Sequence, residues 1–291
     1  MYRYRDLISD VKKLSRMGAE TGSIGKSVLG QEIPYIFVGR KGGPTLVAVG
    51  ATHAREHITA KLVAKQALRY AAGDLRLDGG IYFVPMHNPD GVRLCQEGAG
   101  FIKDADRRGF LIKANGGSGD FSLWKANAAA VDINVNFDAG WGTGESNLFF
   151  PAPFNYVGRA PMSEPETRAV ASLIEKTAAD YVITYHTKGE IIYWQFNQRN
   201  MRKWRDYRYA RFVSRHTGYR LVGQGKSAGG LKDWCVDVLK IPAVTVETGG
   251  DAYGYPYPYS QFDDILKRNL TVPQRMLNTI AKEKPIWKRN L

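Results

Sequence analysis

Apolar residues recur along this chain in two spacings, and each spacing predicts its own element. Between Asp6 and Leu14, the residues Leu7, Val11 and Leu14 share one face at helical spacing. Thr45-Leu-Val-Ala-Val-Gly50 and Ile81-Tyr-Phe-Val-Pro-Met86 are instead continuous apolar runs, which read as buried strands. Tyr181-Val-Ile-Thr-Tyr185 and Ala243-Val-Thr-Val246 are of the same type. Helical spacing resumes near Glu56, with Ile58, Leu62, Val63 and Leu68 as its stripe. Ser27 to Leu29 and Glu32 to Val38 read as a hairpin about Gly30-Gln31. Ser163-Glu-Pro-Glu166 reads as a capping box with proline in the first turn, opening a helix through Ala169, Leu173 and Ile174. Further helices are expected over 200–216, Leu231–Leu239 and Gln261–Lys282. His87-Asn-Pro-Asp-Gly91 is a strong turn sequence. Residues 93–130 are glycine-rich and charged with little periodicity, and a loop of that length in a compact domain is usually functional. Helices alternating with apolar strands predict an α/β fold, a largely parallel or mixed sheet covered on both faces. No repeat or Pro/Ser-rich linker divides the chain, so one domain over 1–291 is expected.

Composition narrows the partners. The formal charge of +13 favours acidic or polyanionic material, either nucleic acid or carboxylate-rich cell wall. The basic residues are spread along the chain, and no helix-turn-helix, zinc-finger or RNA-recognition signature accompanies them, so nucleic-acid binding is not expected. No run of about 20 apolar residues offers a membrane span. Met1-Tyr-Arg-Tyr-Arg-Asp6 lacks the apolar core of a secretory signal, so a cytoplasmic place is expected, with an extracellular or sporulation-associated one as the alternative. Cys95 and Cys235 are far apart and in no metal-type spacing, so buried free thiols are expected, in a monomer.

The densest chemistry is His53-Ala-Arg-Glu-His57, directly after the first apolar run. Imidazole and carboxylate are good ligands for a borderline metal such as Zn²⁺. On a helix, the segment would read H-x-x-E-H, with both histidines as ligands and Glu56 as base. At a strand-to-helix turn it would read H-x-x-E, with His53 and Glu56 as ligands, a distant histidine completing the set and His57 spare. The Val-rich, glycine-punctuated run before His53 favours the second reading. A pair of surface histidines beside a helical first turn is the alternative without a metal. Two more apolar strands end in an ionisable residue, Val-Ile-Thr-Tyr-His186 and Val-Thr-Val-Glu247. If the three strands are parallel neighbours, His53, Glu56 and His186 form a His₂Glu zinc set with an open fourth position for water. Glu247 is then placed to take the proton of that water and pass it to a leaving amine. Each residue alone would more often be structural; the three coincident strand ends carry the weight.

The sequence resembles the M14 zinc carboxypeptidase family. The resemblance is carried, in order, by Gly50-Ala-Thr-His-Ala-Arg-Glu56, Asn88-Pro-Asp-Gly91, Trp124-Lys-Ala-Asn127, Val131-Asp-Ile-Asn-Val-Asn-Phe137, Tyr185-His186, Gly229-Gly-Leu-Lys-Asp-Trp234 and Val246-Glu247. It implies a single zinc peptidase domain with an eight-stranded mixed sheet between helices. It also implies one Zn²⁺ on His53, Glu56 and His186, Glu247 as general base, and a substrate-binding role for Arg55.

Three positions depart from that pattern. Val135 stands where carboxypeptidases carry an arginine that grips the terminal carboxylate of the substrate through a bidentate pair. The substrate-capping tyrosine is replaced near Gly225, and the oxyanion-stabilising arginine is Lys125, which keeps the charge but loses the planar fork. The Trp-Lys-Ala-Asn and Asn-Val-Asn-Phe segments look like the bacterial γ-D-glutamyl-diamino-acid peptidase branch. That likeness implies hydrolysis of the γ-D-glutamyl–diamino acid bond in peptidoglycan stem peptides (muropeptides), with Arg55, Lys125, Asn134 and Lys232 as substrate contacts. The alternative is a standard metallocarboxypeptidase releasing C-terminal amino acids, with Lys232 or another base replacing the lost clamp. A non-catalytic binding protein is disfavoured by the intact ligand set and Glu247.

Overall fold

The structure, a computed structural model, describes residues 1–73 and 75–290, with side chains as far as Lys284. Eight strands form one mixed sheet: β1 (Glu20–Lys26), β2 (Glu32–Gly39), β3 (Thr45–Val49), β4 (Gly80–Val84), β5 (Tyr181–His186), β6 (Ile191–Tyr193), β7 (Arg220–Val222) and β8 (Ala243–Glu247). Their spatial order is β1-β2-β4-β3-β5-β8-β6-β7. β4, β3, β5 and β8 run parallel side by side, and antiparallel pairs β2–β4 and β8–β6 flank them. The helices among the described residues are α1 (Tyr4–Arg16), α2 (Ile58–Ala71), α3 (Pro89–Glu97), α4 (Ala105–Ala114), α5 (Pro165–Lys176), α6 (Asn200–Thr217), α7 (Leu231–Asp237), α8 (Phe262–Asn269) and α9 (Val272–Asn290).

The central strands are continuous apolar runs because both faces of the sheet are covered. Alternate residues of β3 feed opposite cores. Leu46 and Ala48 join Ile183 and Tyr185 under α2, α6, α8 and α9. Val47 and Val49 join Val182 under α5 and α7, where Val170, Ile174, Leu231 and Trp234 meet them. Every residue of β5 is buried.

Several expected elements shift. The first hairpin strand is Glu20–Lys26 rather than residues 27–29, and Ser27–Gln31 is the turn, closed by the Gly30 amide on the Ser27 carbonyl at 2.9 Å. β1 lies at the sheet edge and is mostly exposed, so it shows little apolar alternation. His87–Gly91 is not a free turn but the start of α3. The Asn88 side chain caps it by accepting from the Gly91 amide at 3.0 Å, and Pro89 occupies the first turn. The expected long loop therefore contains most of α3 and all of α4, whose buried stripe is reduced to Leu111. α5 starts after Glu164 and has no capping bond from Ser163, whose hydroxyl donates to the Glu164 carboxylate at 2.7 Å instead. The last helix is broken between Asn269 and Val272. Pro273 has no amide proton to give to a preceding turn, so α9 begins afresh there.

Gly50 fixes where the chain leaves β3. Its amide donates to the Val84 carbonyl at 2.9 Å, and its carbonyl accepts from His87 at 3.0 Å. A Cβ at Gly50 would lie 2.7 Å from the Thr59 carbonyl oxygen and 2.8 Å from that of Pro85. Both obstacles are backbone, so Gly50→Ala is expected to destabilise the protein by about 1–3 kcal/mol through overpacking. Denaturant unfolding checks this, and an unchanged midpoint would contradict it.

Candidate functional site

β3, β5 and β8 are parallel neighbours, so their C-terminal ends share one edge. Ligands collect at such edges in α/β sheets. His186 and Glu247 end β5 and β8 and lie opposite each other in register. His53 arrives four residues beyond β3, after Ala51 takes the left-handed conformation (φ 48°). A single 3₁₀ turn, Ala54–Glu56, then leads into α2. The Glu56 amide closes this turn on the His53 carbonyl at 3.1 Å, and Thr59 Oγ1 ties the Glu56 carbonyl to the Ala51 amide, both at 2.8 Å. His53 and Glu56 thereby reach the same point. The strand-then-turn reading of His53–His57 holds, and helix begins only at Ile58.

The three side chains are buried and converge. His53 Nδ1 lies 2.9 Å from Glu56 Oε1, and His186 Nδ1 lies 3.0 Å from Glu56 Oε2. The two Nδ1 atoms are 3.1 Å apart, and one ligand atom from each residue fits within 4.8 Å of the others. Two imidazole nitrogens and a carboxylate pointed at one spot concentrate lone pairs, and a cation satisfies them all. This donor set fits Zn²⁺. Burial alone would raise the Glu56 pKa, but the flanking imidazoles hold it well below the usual carboxylate range.

Asp132, not singled out from the sequence, supports His53 from behind. Its Oδ1 is 3.3 Å from His53 Nε2 and its Oδ2 is 3.3 Å from Lys125 Nζ. Despite burial, Lys125 and His53 hold the Asp132 carboxylate well below its ordinary pKa. A carboxylate on the outer ring nitrogen fixes the tautomer and leaves Nδ1 free for a metal. His57 takes no part. Its Nδ1 is 2.8 Å from the Tyr259 hydroxyl, its ring stacks on Tyr259, and burial pushes its pKa down to about 4.

A cavity of about 230 Å³ opens beside this cluster, bringing together His53, Lys125, Asn134, Val135, Lys232 and Glu247. Burial pushes the Glu247 carboxyl up to about 7; Glu56 adds to the shift while His186, Lys125 and Arg55 oppose it. Lys232 is buried, ion-paired to Asp233, and donates to the Gln195 carbonyl at 3.0 Å. Tyr193 also lines the cavity and fills space next to Gly225, where a Cβ would lie 3.7 Å from its ring. Arg55 stands outside the cavity lining, its guanidinium 3.9 Å over the Tyr255 ring. The Tyr255 hydroxyl donates to the Thr187 carbonyl, one residue after His186. Tyr193 and Tyr255 carry no charge to flag them in sequence. Asp132 and Asp233 lie inside the segments Val131–Phe137 and Gly229–Trp234, and of the two only Asp233, next to Lys232, has a charged neighbour in sequence.

The remaining motif residues hold this edge together. Asn88 Nδ2 donates to the Thr52 and Ala126 carbonyls at 3.2 and 3.1 Å, joining the α3 cap to the His53 turn and the Lys125 loop. Asn127 Nδ2 donates to Glu164 and Glu166, and its Oδ1 accepts from the Ala129 and Val131 amides. Cys95 and Cys235 are buried free thiols, as expected. Among the described residues no helix is long and apolar enough to cross a membrane.

A mixed eight-stranded sheet with a buried His/Glu/His cluster and a half-buried carboxyl at its parallel strand ends defines a metallopeptidase of carboxypeptidase type. Residues 5–272 match the model of the zinc carboxypeptidase family, Peptidase_M14, and the chain belongs to that family of zinc metallopeptidases. It is 32% identical over 287 residues to gamma-D-glutamyl-L-diamino acid endopeptidase 1 of Lysinibacillus sphaericus, covering 93% of this chain and 71% of that one. Its fold is similar to that of bovine thrombin-activatable fibrinolysis inhibitor, a structure solved in complex with tick carboxypeptidase inhibitor (TM-score 0.77, 20% identity, 97% and 98% of the two chains). It is also similar to murein-tripeptide amidase MpaA from Escherichia coli O157 (TM-score 0.56, 21% identity, 90% and 94%).

Outer-sphere partners of metal-bound histidine are typically worth 10–100-fold in metal affinity. Asp132→Asn is expected to weaken zinc binding by about that factor in a chelator-competition titration, whereas His57→Ala leaves it unchanged. The reverse pattern would assign the ligands wrongly.

Proposed function

We propose that this protein hydrolyses γ-D-glutamyl–diamino acid bonds in peptidoglycan stem peptides, with His53, Glu56 and His186 holding one zinc ion. The observation that carries the substrate assignment is the buried Lys232–Asp233 pair in the cavity next to Glu247. The Lys232–Asp233 pair offers one cation and one anion side by side, which suits a side chain bearing one of each, and the distal centre of diaminopimelate carries an ammonium and a carboxylate. Val135, buried at 6% exposure on the cavity wall, offers no fork for an ordinary C-terminal carboxylate. The name of the relative from Lysinibacillus sphaericus supports the same substrate class.

Zinc in this cluster would make water a usable nucleophile near neutral pH and polarise the scissile carbonyl. Glu247 accepts a proton from the attacking water and delivers it to the departing amine as the C–N bond breaks. Its carboxyl, raised by desolvation to about 7, suits both halves of that exchange. Lys125, ion-paired to Asp132, faces the same cavity, where it stabilises the carbonyl oxygen as it gains negative charge. Asn134 and Lys232 orient the leaving diamino acid. Arg55, its guanidinium over the Tyr255 ring, contacts the acyl side of the substrate.

Glu247→Gln should retain zinc and fold while losing about 10²–10⁴-fold in kcat, the usual worth of a proton-transfer residue. A loss under tenfold would remove Glu247 from this role. The substrate assignment is tested by mass spectrometry of products from L-Ala-γ-D-Glu-diaminopimelate beside an ordinary peptide with a free C-terminus. The γ-D-glutamyl bond should be cut preferentially. Val135→Arg should raise activity on the ordinary peptide, because a charge-assisted bond is worth about 1.5–3 kcal/mol, or roughly ten- to a hundredfold. Efficient wild-type release of ordinary C-terminal residues, with the γ-D-glutamyl bond left intact, would make this a standard carboxypeptidase instead.

A further inference from the structure

An apolar groove of about 750 Å³ lies next to the catalytic cleft. Phe110 and Ala114 from α4 form one side, and the segment Phe150–Phe154 forms the other. Phe150 is 60% exposed, Phe154 44% and Phe110 37%, so these rings do not serve the core. Three exposed rings gathered in one groove, rather than scattered singly, offer a contiguous apolar surface. Among the described residues Lys113 is the one ionisable group lining it, and Asn115 adds a polar edge. Apolar walls with a few polar groups and little charge suit a neutral organic ligand.

The groove and the cleft share a wall. The Pro153 carbonyl accepts from the Lys125 and Ala126 amides at 2.9 and 3.0 Å. Phe154 faces the groove, and Asn155 lines the cleft, its amide donating to Asp132 Oδ2 at 3.1 Å. Three successive residues thus pass from the groove to the support of His53. The backbone of Lys125, on the cleft side, is bonded directly to the groove wall.

We propose that this groove binds the N-acetylated amino sugar of a stem peptide still attached to its glycan. The inference rests on the peptidoglycan reading above. In such a substrate the scissile bond is separated from the sugar by D-Glu, L-Ala and a lactyl ether. At about 3.3–3.6 Å per extended residue, this spacer reaches on the order of 10 Å. The acid group of the sugar is consumed in its amide to L-Ala, which leaves the ring neutral. Pyranose rings present C–H faces to aromatic rings and hydroxyls to polar edges, the two kinds of surface this groove offers.

Phe110→Ser combined with Phe150→Ser removes two exposed rings that line the groove and not the cleft. Zinc-loaded enzyme is assayed on L-Ala-γ-D-Glu-diaminopimelate and on the same tripeptide carrying N-acetylmuramic acid. Wild type is expected to show a KM about tenfold lower for the muramyl substrate. The double variant should lose that preference while cleaving the free tripeptide as wild type does. Equal KM values in wild type, or a preference that survives both substitutions, would overturn the proposal. If neither substrate is cleaved, the substrate assignment itself fails. The groove is then judged by calorimetric binding of muramyl dipeptide, where binding lost in the variant supports it and no binding by wild type overturns it. Sedimentation of both proteins closes the remaining case: a wild-type dimer that the substitutions dissolve, without any sugar preference, would make the groove an interface between copies.

Discussion

The site depends on one arrangement, a carboxylate clasped between two imidazoles at the dry end of a parallel sheet. Glu56 touches both His53 and His186, and the imidazole nitrogens face each other at 3.1 Å. Such a cluster is costly to bury without a cation, because lone pairs and negative charge are brought together away from water. The fold holds it there by covalent and hydrogen-bonded constraint. β5 delivers His186 directly, while Gly50, Ala51 and Thr59 bend the chain after β3 so that His53 and Glu56 arrive from the side. Metal binding and fold are therefore linked: the residues that close the turn also aim the ligand atoms.

Around that cluster the charges are arranged in opposite senses. Asp132 is kept ionised behind His53 by Lys125, whereas Glu247 is pushed toward neutrality by burial. Two acids at one strand edge are thus set apart by their surroundings, one to orient and one to exchange protons. In the same cavity, Lys232 and Asp233 neutralise each other, and Val135 contributes no charge. Against a family background of carboxylate-gripping enzymes, that exchange of a fork for an ion pair is what directs the substrate assignment to diamino acids.

Much of this was legible in the residues. β3, β4, β5 and β8 are continuous apolar runs because helices cover both faces, and their polar ends betray the site edge. The residues His53, Glu56, His186, Glu247, Lys125, Asn134 and Lys232 do meet, while Arg55 stands to one side on Tyr255. Other features were hidden for physical reasons. Edge strand β1 is largely exposed and has no clean alternation, and β6 and β7 are three residues each. α4 buries little beyond Leu111, so its helical period is masked by charge and glycine. Asn88 and Asn127 look like turn residues in one dimension. Their function is to satisfy backbone groups and carboxylates from distant segments, which only the folded chain brings together.

Zinc-edge anomalous diffraction from crystals of the zinc-loaded protein tests the central claim most directly. The expected result is a single strong peak about 2.0–2.2 Å from His53 Nδ1, His186 Nδ1 and a Glu56 oxygen, with His57 still on Tyr259. A peak coordinated by His57, or one that leaves Glu56 out of contact, would contradict the proposed ligand set and the mechanism built on it.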